Sequence, residues 1–465
     1  MSDPAGRPLP ANSPLKKATR IRLFNFSTPQ MRAFHMSWFA FFLCFFAWFG
    51  LAPLMAVVRE EMSLTPDQIG WLMIGSVSVT IVARLMIGWL CDRIGPRLCY
   101  TGLLILGSLP VMGVGFAEDF KTLLAFRVAI GAIGASFVIT QYHTSVMFAS
   151  NVVGTANATT AGWGNLGGGV TQFVMPFVMT SVFMGAFGFS DYWGWRASMF
   201  LAGAVCFLTG VAYYFLTQDA PEGNLRELRA AGKLPPASST NGTFVEACRD
   251  LRVWTLFVIY GACFGVELTI NNIAALHFAD NYGMGLKAAG LAAAAFGLMN
   301  LFARSLGGHI GDVLGGKNGL RGRVLWLFAA LFAEGLALML FSQMSALALA
   351  IPALILFSLF TQMSEGATFS VVPFINKKCL GSVAGIVGAG GNAGAVAAAF
   401  LFKTETAWWS TGLLILGGIV TCVSFLAFAV RFAPETEAAA RREFEQARGE
   451  GARRELVGGL APSPA

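Results

Sequence analysis

ARLMIGWLCDRIGPR, residues Ala83–Arg97, closes an apolar run with a charged turn and sets an arginine inside the run. Residues 69–90 are long enough to cross a hydrocarbon core of about 30 Å. Arg84 precedes Asp92 by eight residues, about 12 Å along a helix, so its guanidinium falls near mid-membrane. The pattern returns at Ala303–Lys317, ARSLGGHIGDVLGGK, with Ala83/Ala303, Arg84/Arg304, Gly88/Gly308, Asp92/Asp312, Gly95/Gly315 and Arg97/Lys317 in register. A charge within a membrane is expensive and marks a pathway or ligand site. Two equivalent arginines in two parallel repeats point to one anion held between two halves.

The composition agrees with a membrane setting. Hydrophobic residues make up 55% of the chain and charged ones 12%, with a mean hydropathy of +0.64; a soluble domain carries about 25% charged residues. The net charge of +7 is not a nucleic-acid footprint, because the basic residues gather on the side of the N-terminal tail. That bias makes this side cytoplasmic, and it leaves Arg84 and Arg304 as the two arginines placed within spans. The eight cysteines are scattered without a CxxC or Cys/His spacing and read as small hydrophobes. No metal or other cofactor is expected. No HExxH and no nucleophile paired with a base stands in the spans, so an enzyme is not expected either. The first 32 residues are polar and basic and lack the apolar core of a cleaved signal peptide.

Hydropathy divides the chain into a cytoplasmic tail (1–32) expected to be disordered over its first part, six spans (33–216), a cytoplasmic linker (217–252), six further spans (253–431) and a cytoplasmic C-terminal tail (432–465). The linker is marked by Pro221, Pro235, Pro236 and mixed charges, and its Asn241-Gly242-Thr243 sequon lies on the wrong side for glycosylation. The duplication extends beyond the arginines. Thr140-Gln141 matches Thr361-Gln362 at an offset of 221, and Gly164-Asn165-Leu166-Gly167 matches Gly391-Asn392-Ala393-Gly394 at 227. Three landmarks in one order establish a six-plus-six repeat. The expected fold is all-α, with twelve transmembrane helices in two pseudo-symmetric bundles, in a cell membrane, bathed in lipid and working as a monomer.

GWLCDRIGPR resembles the loop signature of the major facilitator superfamily, and AGWGNLGGGVTQ with GAGGNAGA resembles the paired glycine signatures of its nitrate/nitrite porter branch. The resemblance covers essentially the whole chain. It implies alternating-access transport of nitrate, with nitrite as a second substrate, and it points to Phe45, Phe137, Tyr260 and Phe264 as lining the site. QDAPEGN after the sixth span is similar to the uptake members rather than the exchangers. The second half departs from the loop motif at Asp312-Val313-Leu314-Gly315-Gly316-Lys317, which weakens a gating role on that side.

Chemistry supports the same substrate. A guanidinium offers planar paired donors that match two oxygens of a planar monovalent oxyanion, so Arg84 and Arg304 could clamp nitrate from opposite halves. Asn165 could reach the anion or pack between helices, and Asn392, among alanines, is read as packing. Gly162, Gly164, Gly167, Gly168, Gly390, Gly391 and Gly394 permit close helix contact, which rocking halves also need. Asp92, Arg93 and Arg97 at the cytoplasmic mouth would latch the outward-facing state or anchor the loop.

Glu267, Glu334, Glu365, His143 and His309 are read as the remaining buried ionisable groups, with Glu334 structural. Glu365, Glu267 and His143 are the candidate proton carriers, Glu365 first. They favour proton-coupled uptake over nitrate/nitrite antiport, because an exchanger needs no titratable group in its pathway. Transport of another small anion or organic acid is the further alternative.

Overall fold

The computed structural model describes residues 17–233, 243–284, 292, 294–402 and 409–458. The first sixteen residues of the tail, part of the linker with Asn241 and Gly242 of the sequon, the expected start of the eighth span and the last residues of the chain lie outside that set. Helix starts follow from local sequence. Thr28 accepts from the Met31 amide ahead of Pro29, opening α1 (Pro29–Phe49), and a reciprocal Thr65/Gln68 capping box opens α2 (Pro66–Ile94). Gly95 then turns at φ +92°, where a side chain would strike the Asp219 carboxylate, and Pro96 begins α3 (Pro96–Gly113). An Asp119/Thr122 box opens α4 (Phe120–Met147).

The next helices are α5 (Val153–Phe177), prolonged by a π-helical stretch, Val178–Ala186, α6 (Asp191–Leu216) and α7 (Leu251–Tyr282). The segment Ala303–Ser342 breaks at Gly319, whose φ of 68° is open to glycine, and so supplies α8 (303–318) and α9 (320–342). Then come α10 (Leu347–Val371), α11 (Leu380–Ala399) and α12 (Trp409–Ser424). Among the described residues ten helices are long and apolar enough to cross a membrane. The pair Val153–Thr171 and Val174–Ala186, bent by 42°, forms an eleventh, and the break at Gly319 divides one of the ten into two. Large side chains such as Leu106, Leu208 and Phe215 stand exposed around the bundle; helices apolar on all sides belong in lipid. The protein is a multi-pass membrane protein.

The halves meet along two crossed pairs, α2 on α11 and α5 on α8. Gly88 faces Gly381 and Gly385, and Gly308 faces Gly154, at backbone separations that exclude any Cβ. The signature glycines sit elsewhere. Gly164 and Gly167 press on Phe41 and Phe42 of α1, Gly168 faces Phe49 and Phe45, and Gly390, Gly391 and Gly394 press on Phe257, Phe264 and Gly261 of α7. These contacts lie within a half, where glycine lets two helix backbones approach. Of the seven only Gly162, against Asn300 and Arg304, lies between halves, which corrects the reading of the signatures as sliding surfaces.

The first and last described segments gather at the linker end of the bundle. Ala18 pairs with Met147 and Ala149 at the end of α4, Lys17 donates to the Ser145 carbonyl at 2.9 Å, and the terminal helix Pro434–Gly458 packs Ala440 with Val153, Leu320 and Phe374.

Candidate functional site

α2 and α8 carry Arg84 and Arg304 into the middle of the bundle, where both are almost fully buried. They meet at one ring. The Arg84 guanidinium carbon lies 5.1 Å from the centre of Phe137 and 5.2 Å from that of Phe264, and that of Arg304 lies 5.7 Å from Phe137. Tyr260 stacks on Phe264 at 5.3 Å and on Phe137 at 5.6 Å, with Phe369 edge-on to Phe137 at 4.8 Å. Aromatic faces attract cations, so this box holds two guanidinium groups that would otherwise repel.

The arginines differ in their partners. Arg84 donates from Nε to the Gly134 carbonyl at 3.2 Å and from Nη1 to the Gly388 carbonyl at 2.5 Å. Its Nη2 has no partner and no carboxylate pairs with it among the described residues. Arg304 is paired with Glu365 through Nη1 and donates from Nη2 to the Tyr260 hydroxyl at 2.9 Å. Glu267 stands 3.9 Å from the same Nη1 and accepts from Asn300 at 2.7 Å and, across the halves, from Asn165 at 3.4 Å. Arg84, Arg304, Tyr260, Phe137, Phe264, Glu365, Glu267 and Asn165 are thus brought together.

Other candidates stand apart. Phe45 is one ring removed, on Phe41 at 4.5 Å. Asn392 reaches the Val77 carbonyl of α2 at 3.5 Å. His143 is held by Tyr213 at 2.6 Å and the Gln218 carbonyl at 2.8 Å, inside the first half. Glu334 accepts from Ser364 at 2.5 Å between α9 and α10. His309 is exposed rather than buried, because its position on α8 turns away from the face that carries Arg304. Arg127 and Arg196 also lie buried within spans, on the Trp48 carbonyl and on Glu61, so the interior holds more arginines than the two read from the repeat. Both bind partners of their own half and lie outside the box.

At the linker end the halves are latched reciprocally. Asp92 accepts from the Gly381 and Ser382 amides, both at 2.8 Å, and from the Ser382 hydroxyl at 2.6 Å, capping α11 of the other half. Asp312 does the same to α5 through the Gly154 amide at 3.0 Å, the Thr155 amide at 2.6 Å and the Thr155 hydroxyl at 2.7 Å. The expected weakness of the second latch is corrected: a capping carboxylate needs amide donors at a helix N-terminus, not the arginine and proline around it, and Arg323 adds an ion pair to Asp312 at 2.6 Å. Arg93 lies over Trp89, and Arg97 is tied to the Tyr214 carbonyl at 2.7 Å inside its own half. Asp219, beyond α6, accepts from the Arg97 amide at 2.9 Å; burial raises its pKa. Arg229 donates to the Arg93 and Asp92 carbonyls, fastening the linker to the latch.

Sequence reading missed the sockets Gly154-Thr155 and Gly381-Ser382, although they repeat at the same offset of 227 as the glycine signatures. It also missed Asn300 and Arg323, which carry no repeat signal.

Two six-helix halves that clasp a buried cationic box and latch at one end define a membrane transporter. The chain belongs to the Major Facilitator Superfamily, whose family model matches residues 37–399. It is a transporter and not an enzyme. It is 40% identical to high affinity nitrate transporter 2.5 of Arabidopsis thaliana, over 86% of this chain and 80% of that protein. It is 37% identical to high-affinity nitrate transporter 2.3 of Oryza sativa subsp. japonica, over 88% and 80%, and 28% identical to the nitrate/nitrite transporter NrtP of Nostoc punctiforme, over 87% and 94%. The solved proton:xylose symporter XylE shares the fold with a TM-score of 0.67 at 12% identity, over 87% of this chain and 96% of that one.

Proposed function

We propose that the protein carries nitrate, and nitrite with it, into the cell together with a proton. The observation that carries the reading is the meeting of Arg84 and Arg304, from equivalent places in the two halves, at the Phe137 ring, and the relatives named above support the choice of oxyanion. Arg84 offers an open Nη2, and a weakly basic planar anion suits a guanidinium edge. The second arginine is not free: an anion reaching Arg304 must displace Glu365 from Nη1.

Charge then selects the coupling. Arg84, Arg304, Glu267 and Glu365 sum to zero when all are ionised. Nitrate alone would leave the buried cluster with an uncompensated negative charge, which is costly in a low dielectric. A proton on Glu365 cancels it and releases Nη1 in the same step. Asn165 and Asn300 hold Glu267 in place, and Tyr260 positions the far edge of Arg304. The linker face, with both termini, is the cytoplasmic side of the cell membrane, and Asp92 and Asp312 close that side while the anion is received from outside. Both arginines come from one chain, so a monomer suffices.

The test is labelled nitrate entry into proteoliposomes that contain no internal anion. An inward proton gradient should drive it, and Glu365→Gln should abolish the response to the gradient. Replacing Arg84 by Lys keeps the charge but loses the fork and should reduce entry by roughly 10²-fold. Entry that requires preloaded nitrite or nitrate and ignores Glu365→Gln would establish exchange instead.

A further inference from the structure

Gln362 of α10 is fully buried, and neither its Oε1 nor its Nε2 has a hydrogen-bond partner among the described residues. A buried amide left unpaired is costly, and its position in the helix says where the side chain is aimed. Gln362 precedes Glu365 by three residues and Phe369 by seven, so at about 100° per residue the three share one face. Glu365 on that face grips Arg304, and Phe369 meets Phe137 at 4.8 Å and Tyr260 at 5.0 Å. The neighbouring faces of α10 are occupied: Met363 and Gly366 lie on α8, and Ser364 on Glu334 of α9. In the first half the equivalent Gln141 is bound to the Asn157 carbonyl at 3.1 Å. Among the described residues Gln362 alone leaves both ends of a buried side-chain amide uncommitted.

We propose that Gln362 distinguishes nitrate from nitrite by donating its Nε2–H to a third oxygen. The inference rests on the nitrate reading above. Arg84 through Nη2 and Arg304 through Nη1, once Glu365 lets go, supply donors at the Phe137 ring, one from each half. These satisfy two oxygens. Nitrite carries only a nitrogen lone pair where nitrate has its third oxygen, one bond length further from the amide, so Gln362 gains little from it, whereas nitrate offers an acceptor within reach that offsets the cost of burying the amide. The residue sets selectivity by a contact that one substrate reaches and the other falls short of, and it has no part in proton movement.

The variant to make is Gln362→Met, which keeps length and bulk and removes the donor. KM for nitrate and for nitrite would be measured in proteoliposomes under one fixed inward proton gradient. KM for nitrate should rise about tenfold, the effect of one lost hydrogen bond, while KM for nitrite stays within about twofold, so that the preference for nitrate falls. Equal changes for both anions, or none for either, would overturn the inference. Should Gln362→Met not reach the membrane, Gln362→Asn withdraws the amide by one methylene, and thermal shifts of the purified protein with nitrate and with nitrite give the same comparison. An unchanged preference there counts against the inference equally. A wild-type protein that neither binds nor moves nitrate would sink the proposed function itself; one that does so, with selectivity indifferent to Gln362, sinks only this step.

Discussion

The two halves carry the same arginine at the same place and surround it differently. In the first, Arg84 is answered by the Gly134 carbonyl of its own half, the Gly388 carbonyl of the other and two aromatic faces. In the second, Arg304 is answered by Glu365, Glu267 and Tyr260. Part of the difference is one position: Thr144 stands at the offset of 221 where the second half has Glu365, and among the described residues its hydroxyl bonds that of Thr160. Duplication supplies a pair of charges, and in the mechanism proposed above a single carboxylate makes the availability of one member depend on a proton.

Removing each arginine in turn is the most severe way to break that contrast. Arg304→Met leaves Glu365 and Glu267 buried without their cation and should cost about 3–5 kcal/mol. Arg84→Met removes an arginine that no carboxylate pairs directly among the described residues but leaves the cluster one negative charge in excess, so it should cost less than Arg304→Met. Thermal unfolding of the two purified variants in one detergent reads the difference directly. Equal losses would show that Arg84 has an acidic partner in solution.

The latches extend the comparison to the linker end. Asp92→Asn loses charge-assisted capping and should cost roughly 1–3 kcal/mol of the closed state; Asp312→Asn loses the same and also strands Arg323. Cys379, buried at the start of α11, gives the readout. In a chain with Cys379 as its one cysteine, alkylation by a membrane-permeant maleimide should quicken in Asp92→Asn and more so in Asp312→Asn. Unchanged rates in both would mean that the caps do not hold this end shut.

A milder probe concerns Lys17 of the N-terminal tail, which lies near Lys377 of the second half and Glu443 of the C-terminal tail. Burial, then Lys377, lower its pKa to about 8, against a partial opposing effect of Glu443, while a free lysine titrates near 10.4. Between those values the undocked tail binds more protons than the docked one, so docking strengthens as pH rises from about 8 toward 10.4. The rate of Lys17 acylation, followed by mass spectrometry, should have a midpoint near pH 8. A midpoint near 10 would place the amine in open water.

Much of this was legible before any coordinates. Hydropathy, the arginine repeat and the glycine signatures carry the twelve helices and the central pair, because membrane spans must be long and apolar and a duplicated motif reports on itself. What stayed hidden depends on azimuth. His309 looked buried because its neighbours are apolar, yet in lipid an apolar neighbourhood does not say which face is inside. The signature glycines announced close packing but not whether the partner helix belongs to the same half. Asn300 and Arg323 act through one contact each across space, for which a single sequence offers no period to detect.

The reciprocal caps carry one more consequence. Asp92 of the first half enters the N-terminus of α11, and Asp312 of the second enters that of α5, so each half owns one plug and one socket, placed alike. That is the self-complementary contact of a two-fold symmetric dimer, in which every patch meets its own copy. The covalent joint between the halves then serves chiefly to raise their effective concentration, and the single chain retains the interface of two identical subunits, each of which could close the other.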